Sequence, residues 1–210
     1  MEWKQIPLGP VQTNCYVLKR EDSSCLIVDP GSEGEKLIQY LQKEDLNPVA
    51  VVLTHAHFDH IGAIDTIRSA YHIPVYVHEK EKDWLSSPEL NLSEHMQVGK
   101  VQVNGADEII KGEQELTIGS FTFQIYETPG HSPGSISLYF ESDGIICSGD
   151  ALFKGSIGRT DLPGANHEQL LKSIHEKLLT LPEDTVVLCG HNDVTTIGNE
   201  MNSNPFLNGF

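Results

Sequence analysis

The segment His55-Ala56-His57-Phe58-Asp59-His60 contains three imidazoles and one carboxylate within six residues, and each of these groups can donate a lone pair to a metal ion. The apolar run Val49–Leu53, typical of a buried strand, precedes the segment, and apolar residues at helical spacing follow it from Ile61 to Tyr71. In an extended backbone alternate side chains project to the same side, so a strand-to-helix loop can aim them at one point. Neutral imidazole and carboxylate are standard zinc ligands. The segment therefore predicts a metal site at the end of a strand.

Three further candidate ligands share one local pattern, because each follows a glycine at the end of an apolar run. Glycine lets the backbone bend sharply, so that a short side chain can reach a shared centre. A lone histidine in a turn is weak evidence, but three glycine-preceded donors at strand ends support one another. These residues are His131, Asp150 and His191.

The full set of candidate ligands is too large for one zinc ion, whose usual shell holds four. Two metals about 3.5–4 Å apart that share one carboxylate account for all of them. We therefore predict two metal ions per chain. Zinc is our first expectation, although iron and manganese also accept imidazole and carboxylate ligands. The predicted ligands are His55, His57, Asp59, His60, His131, Asp150 and His191.

The rest of the chain alternates strand patterns with helical patterns. Gly34–Lys43 and Asn166–Leu178 have apolar residues at helical spacing, and turn residues such as Asp29–Gly31 end the strand patterns. We predict one α/β domain over residues 1–210, with two layers of sheet and outer helices. Residues 80–105 carry the least pattern. The predicted strands are Tyr16–Leu18, Cys25–Val28, Val49–Leu53, Pro74–Val77, a series within Leu116–Glu127, Ser135–Phe140, Ile145–Cys147 and Val186–Leu188.

The composition excludes several classes of partner. The net charge of −16 repels phosphate backbones, so we expect no nucleic-acid partner. No apolar run approaches the roughly 20 residues that a membrane helix needs, so we expect no membrane association. The four cysteines are widely spaced without a CxxC pair, which predicts reduced thiols and favours a cytoplasmic location. The sequence leaves the oligomeric state open.

Four motifs resemble those of the metallo-beta-lactamase superfamily in order and in approximate spacing. They are HAHFDH at 55–60, PGHSPGS at 129–135, SGDALF at 148–153 and CGHND at 189–193. The resemblance covers nearly the whole chain and implies a four-layer αββα sandwich with the metal site at the sheet ends. The implied ligands are His55, His57 and His131 for the first metal, Asp59, His60 and His191 for the second, and Asp150 for both.

The segment GDALFKGSIGRTD at 149–161 resembles the glyoxalase II group of hydroxyacyl-thiol thioesterases and the related persulfide dioxygenases. Classical glyoxalase II binds the glutathione part of its substrate with a basic residue near the position of Arg159. The resemblance thus implies substrate binding by Arg159, with Lys154 as a second candidate. Classical glyoxalase II also has a C-terminal helical domain, whereas this chain ends about twenty residues after His191. It resembles the shorter glyoxalase II-like proteins, for which glutathione specificity does not follow.

The activity implied by these features is hydrolysis of a thioester, such as an S-(2-hydroxyacyl) thiol. A hydroxide that bridges two metals is a nucleophile near pH 7, and the metals stabilise the oxyanion that forms. The thiolate leaving group needs little help from a general acid, because a free thiol has a pKa near ~8.5. Asp59 could bind metal and also orient the attacking hydroxide. The expected partner is therefore a small-molecule thioester.

Other activities use the same residues. A persulfide dioxygenase needs one iron with two histidines and a carboxylate, which His57, His131 and Asp150 could supply while Asp59 and His60 stay idle. A lactonase or another ester hydrolase would use the whole two-metal cluster. The complete ligand set does not resemble that of true β-lactamases, which typically lack the Asp-His pair together with the shared aspartate. Antibiotic hydrolysis is therefore not the implied activity.

Overall fold

The structure, a computed structural model, describes residues 1–96 and 99–207. Residues 97–98 and 208–210 of the predicted domain lie outside the described residues. The chain divides into two compact units, the first made of residues 1–110 and 117–121 and the second of residues 111–116 and 122–210. That the whole chain forms one domain stays a prediction.

The first unit is built on a six-stranded sheet. Its elements are β1 (Glu2–Leu8), β2 (Thr13–Lys19), β3 (Ser24–Val28), α1 (Gly34–Lys43), β4 (Asn47–Val52), α2 (Phe58–Ile61), α3 (Ile64–Tyr71), β5 (Val75–His78) and β6 (Glu108–Ile110), with 3-10 helices at Glu79–Ser86 and Ser93–His95. The strand order is β1-β2-β3-β4-β5-β6. Strands β1 to β3 pair antiparallel and β3 to β6 pair in parallel. Helices supply the crossovers between the first parallel strands.

The predicted elements of the first unit agree with the structure where the apolar pattern is regular and differ from it where polar residues or glycine interrupt the pattern. Helix α1 has the predicted bounds, with Leu37 and Leu41 fully buried on one face. The predicted helix from Ile61 to Tyr71 is instead divided between α2 and α3. A Cβ on Gly62 would lie 2.4 Å from the carbonyl oxygen of Gly31, so this turn packs too closely for a larger residue. Strand β1 was not predicted, because polar residues interrupt its short apolar pattern at the edge of the sheet.

The second unit contains most of a second six-stranded sheet. Residues 117–121 of this sheet, which end its first strand and begin its second, are assigned to the first unit. The elements are β7 (Gln114–Ile118), β8 (Phe121–Glu127), β9 (Ile136–Phe140), β10 (Ile145–Gly149), β11 (Leu152–Phe153), β12 (Ser156–Ile157), α4 (His167–Ser173), β13 (Val186–Cys189), β14 (Thr195–Thr196) and α5 (Ile197–Ser203), with a 3-10 helix at Glu141–Asp143 and a π-helical turn at Ile174–Leu178. The strand order is β14-β13-β10-β9-β8-β7, and β11 pairs with β12 in a separate ribbon.

Two parallel strands of the second sheet end side by side. Gly149, the last residue of β10, is in register with Cys189, the last residue of β13. The amide of Gly190 donates a hydrogen bond of 2.8 Å to the carbonyl oxygen of Gly149, which continues the pairing past the strand end. Asp150 and His191 therefore leave the sheet at the same edge.

All four cysteines are reduced, as the sequence predicted, and all four are buried. Burial raises the pKa of the Cys25 and Cys189 thiols to about 12, so both remain protonated near neutral pH and serve as packing residues. Among the described residues, no helix combines the length and the apolar character needed to cross a membrane. The cytoplasmic location stays a prediction.

Candidate metal centre

The predicted ligand segment ends in a short helix that begins after His57. Strand β4 stops at Val52, and His57 keeps an extended conformation (φ −65°, ψ 151°) as the N-cap of α2. Asp59 and His60 lie in the first turn of α2, so the extended backbone that was predicted to include Asp59 does not reach it. A helical turn rotates successive residues by about 100°. Here it leaves Nε2 of His60 at 3.5 Å from Oδ2 of Asp59.

The three histidines of this segment form a compact group inside the first unit. The ring centres of His55 and His57 are 4.8 Å apart, and those of His55 and His60 are 4.1 Å apart. All three side chains are buried. The segment thus brings three imidazole rings together in the protein interior, and their role as metal ligands stays a prediction.

Asp29 is a buried carboxylate for which we predicted no role beyond ending a strand. Its Oδ2 accepts a hydrogen bond of 2.6 Å from the Thr54 hydroxyl and lies 3.0 Å from Nδ1 of His60. A carboxylate behind a neutral imidazole keeps the proton on Nδ1, so Nε2 carries the lone pair. Asp29 follows an apolar strand as Asp150 does, but Val28 precedes it in place of a glycine, so the pattern that marked the other candidates did not identify it.

Thr13 supports Asp59 in a similar way, and we did not predict this contact. The Thr13 hydroxyl, on the buried end of β2, donates a hydrogen bond of 2.7 Å to Oδ2 of Asp59. The two residues are 46 positions apart, so no local pattern links them. The hydrogen bond fixes the carboxylate that the sequence assigned both to metal binding and to orienting the nucleophile.

The second unit brings its three predicted ligands together around one carboxylate oxygen. Oδ2 of Asp150 lies 3.5 Å from Nε2 of His131 and 3.4 Å from Nε2 of His191. Nδ1 of His131 lies 2.9 Å from the carbonyl oxygen of Arg159. Because a carbonyl oxygen only accepts, Nδ1 must carry the proton and Nε2 the lone pair. The unprotonated Nε2 of His131, which can bind a metal, therefore faces Asp150.

The glycines before two of these ligands have backbone angles that other residues rarely adopt. Gly130 has a φ of 135° and Gly149 a φ of 51°. A Cβ on Gly130 would also lie 2.3 Å from the Cα atom of Leu170. The turn that presents His131 and the strand end that presents Asp150 thus both depend on glycine, as the sequence pattern indicated.

The spacing of donor atoms within each unit fits ligands that share an ion. Hydrogen bonds of the N–H···O type are usually about 2.7–3.2 Å long. Two ligand atoms on a tetrahedral zinc with bonds of about 2.1 Å lie roughly 3.4 Å apart. Among the proposed ligand atoms, Nε2 of His60 lies 3.5 Å from Oδ2 of Asp59, and the two imidazoles around Asp150 lie 3.5 and 3.4 Å from its Oδ2, so each donor set fits a divalent metal. The assignment of seven ligands to two metals stays a prediction.

The two predicted substrate-binding side chains are exposed and ion-paired. The Arg159 guanidinium donates hydrogen bonds of 3.0 and 2.9 Å to the Asp161 carboxylate and holds the pKa of Asp161 below its usual range. Nζ of Lys154 lies 3.1 Å from Oδ2 of Asp193. Substrate contact by either side chain stays a prediction. The main-chain carbonyl of Arg159, in contrast, has a role that we did not predict, since it orients His131.

Similar sequences span nearly the whole of this chain. The sequence profile of the metallo-beta-lactamase superfamily matches residues 8–191. The probable metallo-hydrolase YqgX of Bacillus subtilis (strain 168) is 53% identical over 210 residues, which are 100% of this chain and 99% of the relative. The hydroxyacylglutathione hydrolase GloC of Haemophilus influenzae is 35% identical over 204 residues, which are 97% of this chain and 96% of the relative.

Two solved structures are similar over their full length. The BLEG-1 B3 metallo-beta-lactamase is 53% identical with a TM-score of 0.97, covering 99% of this chain and 100% of its own. The protein TTHA1623, solved in a di-iron-bound form, is 37% identical with a TM-score of 0.83, covering 97% of this chain and 100% of its own. These similarities confirm the predicted α/β fold class and its metallo-beta-lactamase architecture.

Proposed function

The chain belongs to the metallo-beta-lactamase superfamily, and we propose that within it the protein is a binuclear metal-dependent hydrolase of thioesters. Similarity to metallo-hydrolases supports the hydrolase class. The observation that carries the proposal is the 3.4–3.5 Å spacing of imidazole and carboxylate donors in both units. The thioester preference draws support from a relative named hydroxyacylglutathione hydrolase that aligns with 97% of the chain.

The proposed ligands are the seven that the motifs implied. A similar protein solved in a di-iron-bound form supports two metals per chain. We propose zinc as the native metal and keep iron and manganese as alternatives, because imidazole and carboxylate donors accept all three. His55, His57 and His131 would hold the first metal, Asp59, His60 and His191 the second, and Asp150 both.

The residues around the ligands position the reacting groups. When bound, two divalent metals supply a water of lowered pKa as nucleophile and polarise the substrate carbonyl. Asp59, whose carboxylate accepts a hydrogen bond from the Thr13 hydroxyl, would orient the attacking oxygen. Asp29 and the carbonyl of Arg159 hold the proton on Nδ1 of the histidines that they contact, and so leave Nε2 as the metal donor.

A thioester suits a site composed mainly of metal ligands. Its leaving group is a thiolate, which is stable near neutral pH because a free thiol has a pKa near ~8.5. The reaction therefore needs little general-acid catalysis. We further propose that Arg159, with Lys154, binds an anionic part of the carrier thiol, since both are exposed cations on the segment that follows Asp150.

A second candidate is β-lactam hydrolysis, which is favoured by 53% identity to a protein named as a B3 metallo-beta-lactamase. The same nucleophile could attack a lactam carbonyl. An amide nitrogen is a poorer leaving group than a thiolate and requires protonation as the ring opens. The thioester is therefore the easier substrate for these residues.

One substrate panel separates the candidates. We would assay zinc-loaded protein on S-lactoylglutathione, an acyl thioester of an uncharged thiol, a lactone and a chromogenic cephalosporin. We expect kcat/KM for the better thioester to exceed that for the cephalosporin by about 100-fold or more. The reverse order would overturn the thioester proposal in favour of β-lactam hydrolysis.

Two variants test the site itself. His57→Ala and Asp150→Ala should abolish turnover while the protein stays folded, because each removes a proposed ligand. His72→Asn, at an exposed histidine outside the motifs, is the control and should keep wild-type turnover, because asparagine tolerates the left-handed φ of 55° at this position. Near-wild-type turnover in either zinc-loaded ligand variant would contradict the proposed site.

A further inference from the structure

The stretch that follows β5 carries little sequence pattern, yet it packs against the ligand segment within the first unit. We call residues 79–96 the clamp segment. It consists mainly of the 3-10 helices Glu79–Ser86 and Ser93–His95 with the turn between them. The Trp84 ring, at the buried side of the first helix, lies against the imidazole of His57 with ring centres 5.5 Å apart and planes inclined by 31°.

The clamp segment also holds the backbone on both sides of His57. The amide of Ala56 donates a hydrogen bond of 2.6 Å to Oε2 of Glu81. The amide of Phe58 donates a hydrogen bond of 3.0 Å to the carbonyl oxygen of Asn91. The amides of Ala56 and Phe58 are thus held by hydrogen bonds, and the Trp84 ring covers one face of the His57 imidazole. These contacts restrict rotation of the imidazole away from its present orientation.

Buried polar groups maintain the shape of the clamp segment. Glu81 and Asn91 are fully buried. The Asn91 side chain donates to the carbonyl oxygens of Trp84 at 3.0 Å and Val101 at 2.9 Å, and it accepts from the amide of Ser93 at 3.0 Å. Burying a carboxylate and an amide costs free energy unless their hydrogen bonds are made. Fully buried polar groups of this kind are unusual in a loop, so we infer that the conformation of the clamp segment has a function.

We propose that the clamp segment orients His57 before the metal arrives and that Glu81 is the positioning residue. The inference rests on the proposed role of His57 as a metal ligand. Ligands already held in place lose less conformational freedom when the ion binds, and this raises affinity. Supporting residues around metal ligands typically contribute 10- to 100-fold to metal affinity. Glu81 acts on the ligand segment by accepting the hydrogen bond from the Ala56 amide.

The test compares zinc affinities by chelator competition in three variants. Glu81→Met keeps the bulk but removes the acceptor, and we expect its zinc affinity to fall about 10- to 100-fold. Glu81→Gln keeps an acceptor oxygen and should recover most of that loss. Glu79→Met makes the same change at an exposed glutamate of the same helix and should bind zinc as the wild type does. Equal affinities in Glu81→Met and Glu79→Met would overturn the proposal.

Hydrogen exchange of the wild-type protein tests the proposal without a variant, so a folding defect caused by a substitution cannot affect the result. The amides of Ala56 and Phe58 should be protected in the metal-free protein as well as in the zinc-loaded one. Protection that appears only after zinc is added would overturn the proposal, because the segment would then be ordered by the metal. Both measurements are independent of substrate, so a protein that binds zinc but cleaves no thioester would refute the proposed function alone.

Discussion

Asp29 and His60 form a buried pair, with Oδ2 of the carboxylate 3.0 Å from Nδ1 of the imidazole. In the second unit the carbonyl oxygen of Arg159 likewise lies 2.9 Å from Nδ1 of His131. One acceptor is a charged side chain and the other a neutral main-chain group. Both fix the tautomer, so that Nε2 is the nitrogen offered to a metal.

Asp29→Asn should lower the affinity for zinc by about 10- to 100-fold, because it replaces the charged acceptor behind His60 with a neutral amide. Chelator competition measures the effect. Asp45→Asn is the matched control, since Asp45 is exposed and has nearly the same left-handed φ, 52° against 51° for Asp29. If the two variants bind zinc equally well, the Asp29 carboxylate does not support the site.

Thr13→Val should reduce kcat/KM for the thioester by about 10- to 100-fold, because it removes a hydrogen bond to a carboxylate while keeping the shape of the side chain. Thr13→Ser keeps the hydroxyl and should retain most of the activity. Steady-state kinetics at saturating zinc measures both. A similar loss in the serine variant would show that packing, and not the hydrogen bond to Asp59, is what matters at this position.

Gly158→Ala should destabilise the protein by about 1–3 kcal/mol through overpacking and should weaken zinc binding. The added Cβ would lie 1.9 Å from the carbonyl oxygen of Asp150 and 3.1 Å from Cβ of His131, so both proposed ligands must shift. Gly105→Ala is the control, since a Cβ there meets nothing within 4 Å. Thermal unfolding with and without zinc measures the effects. Wild-type stability in Gly158→Ala would contradict the packing described around Asp150.

Arg159→Ala should leave zinc content unchanged, because the carbonyl oxygen that contacts His131 is retained. The proposed contact of the guanidinium with an anionic carrier predicts a rise in KM for S-lactoylglutathione of about tenfold, the loss of one charge-assisted contact. KM for a thioester of an uncharged thiol should not change and serves as the control. An equal rise for both substrates would argue against charge recognition by Arg159.

The sequence identified candidate ligands because metal chemistry depends on residue identity, and their role as ligands stays a prediction. Imidazole and carboxylate groups at strand ends can be recognised without knowing what surrounds them, and within each unit the structure brings them to ligand spacing. Helix α1 was predicted with its bounds for a similar reason, since its apolar spacing is local. The α/β class followed from the alternation of such local patterns.

The supporting residues were missed because their partners are distant along the chain. Thr13 lies 46 positions from Asp59, Asp29 lies 31 positions from His60, and Glu81 lies 25 positions from Ala56. Their residue types are common in turns and on surfaces, so only the tertiary structure reveals what they contact. The contact of Arg159 with His131 uses a main-chain oxygen, which every residue has, and therefore leaves no trace in the sequence.

The central claim is a two-metal site that hydrolyses thioesters, and metal analysis paired with turnover tests it most directly. Protein purified without added metal would be analysed for zinc, iron and manganese, and the same sample assayed on S-lactoyl thioesters before and after chelation. We predict about two metal ions per chain and thioester hydrolysis that is lost on chelation and restored by zinc. One iron per chain, with oxygen uptake on a persulfide and no hydrolysis of any thioester, would contradict the account.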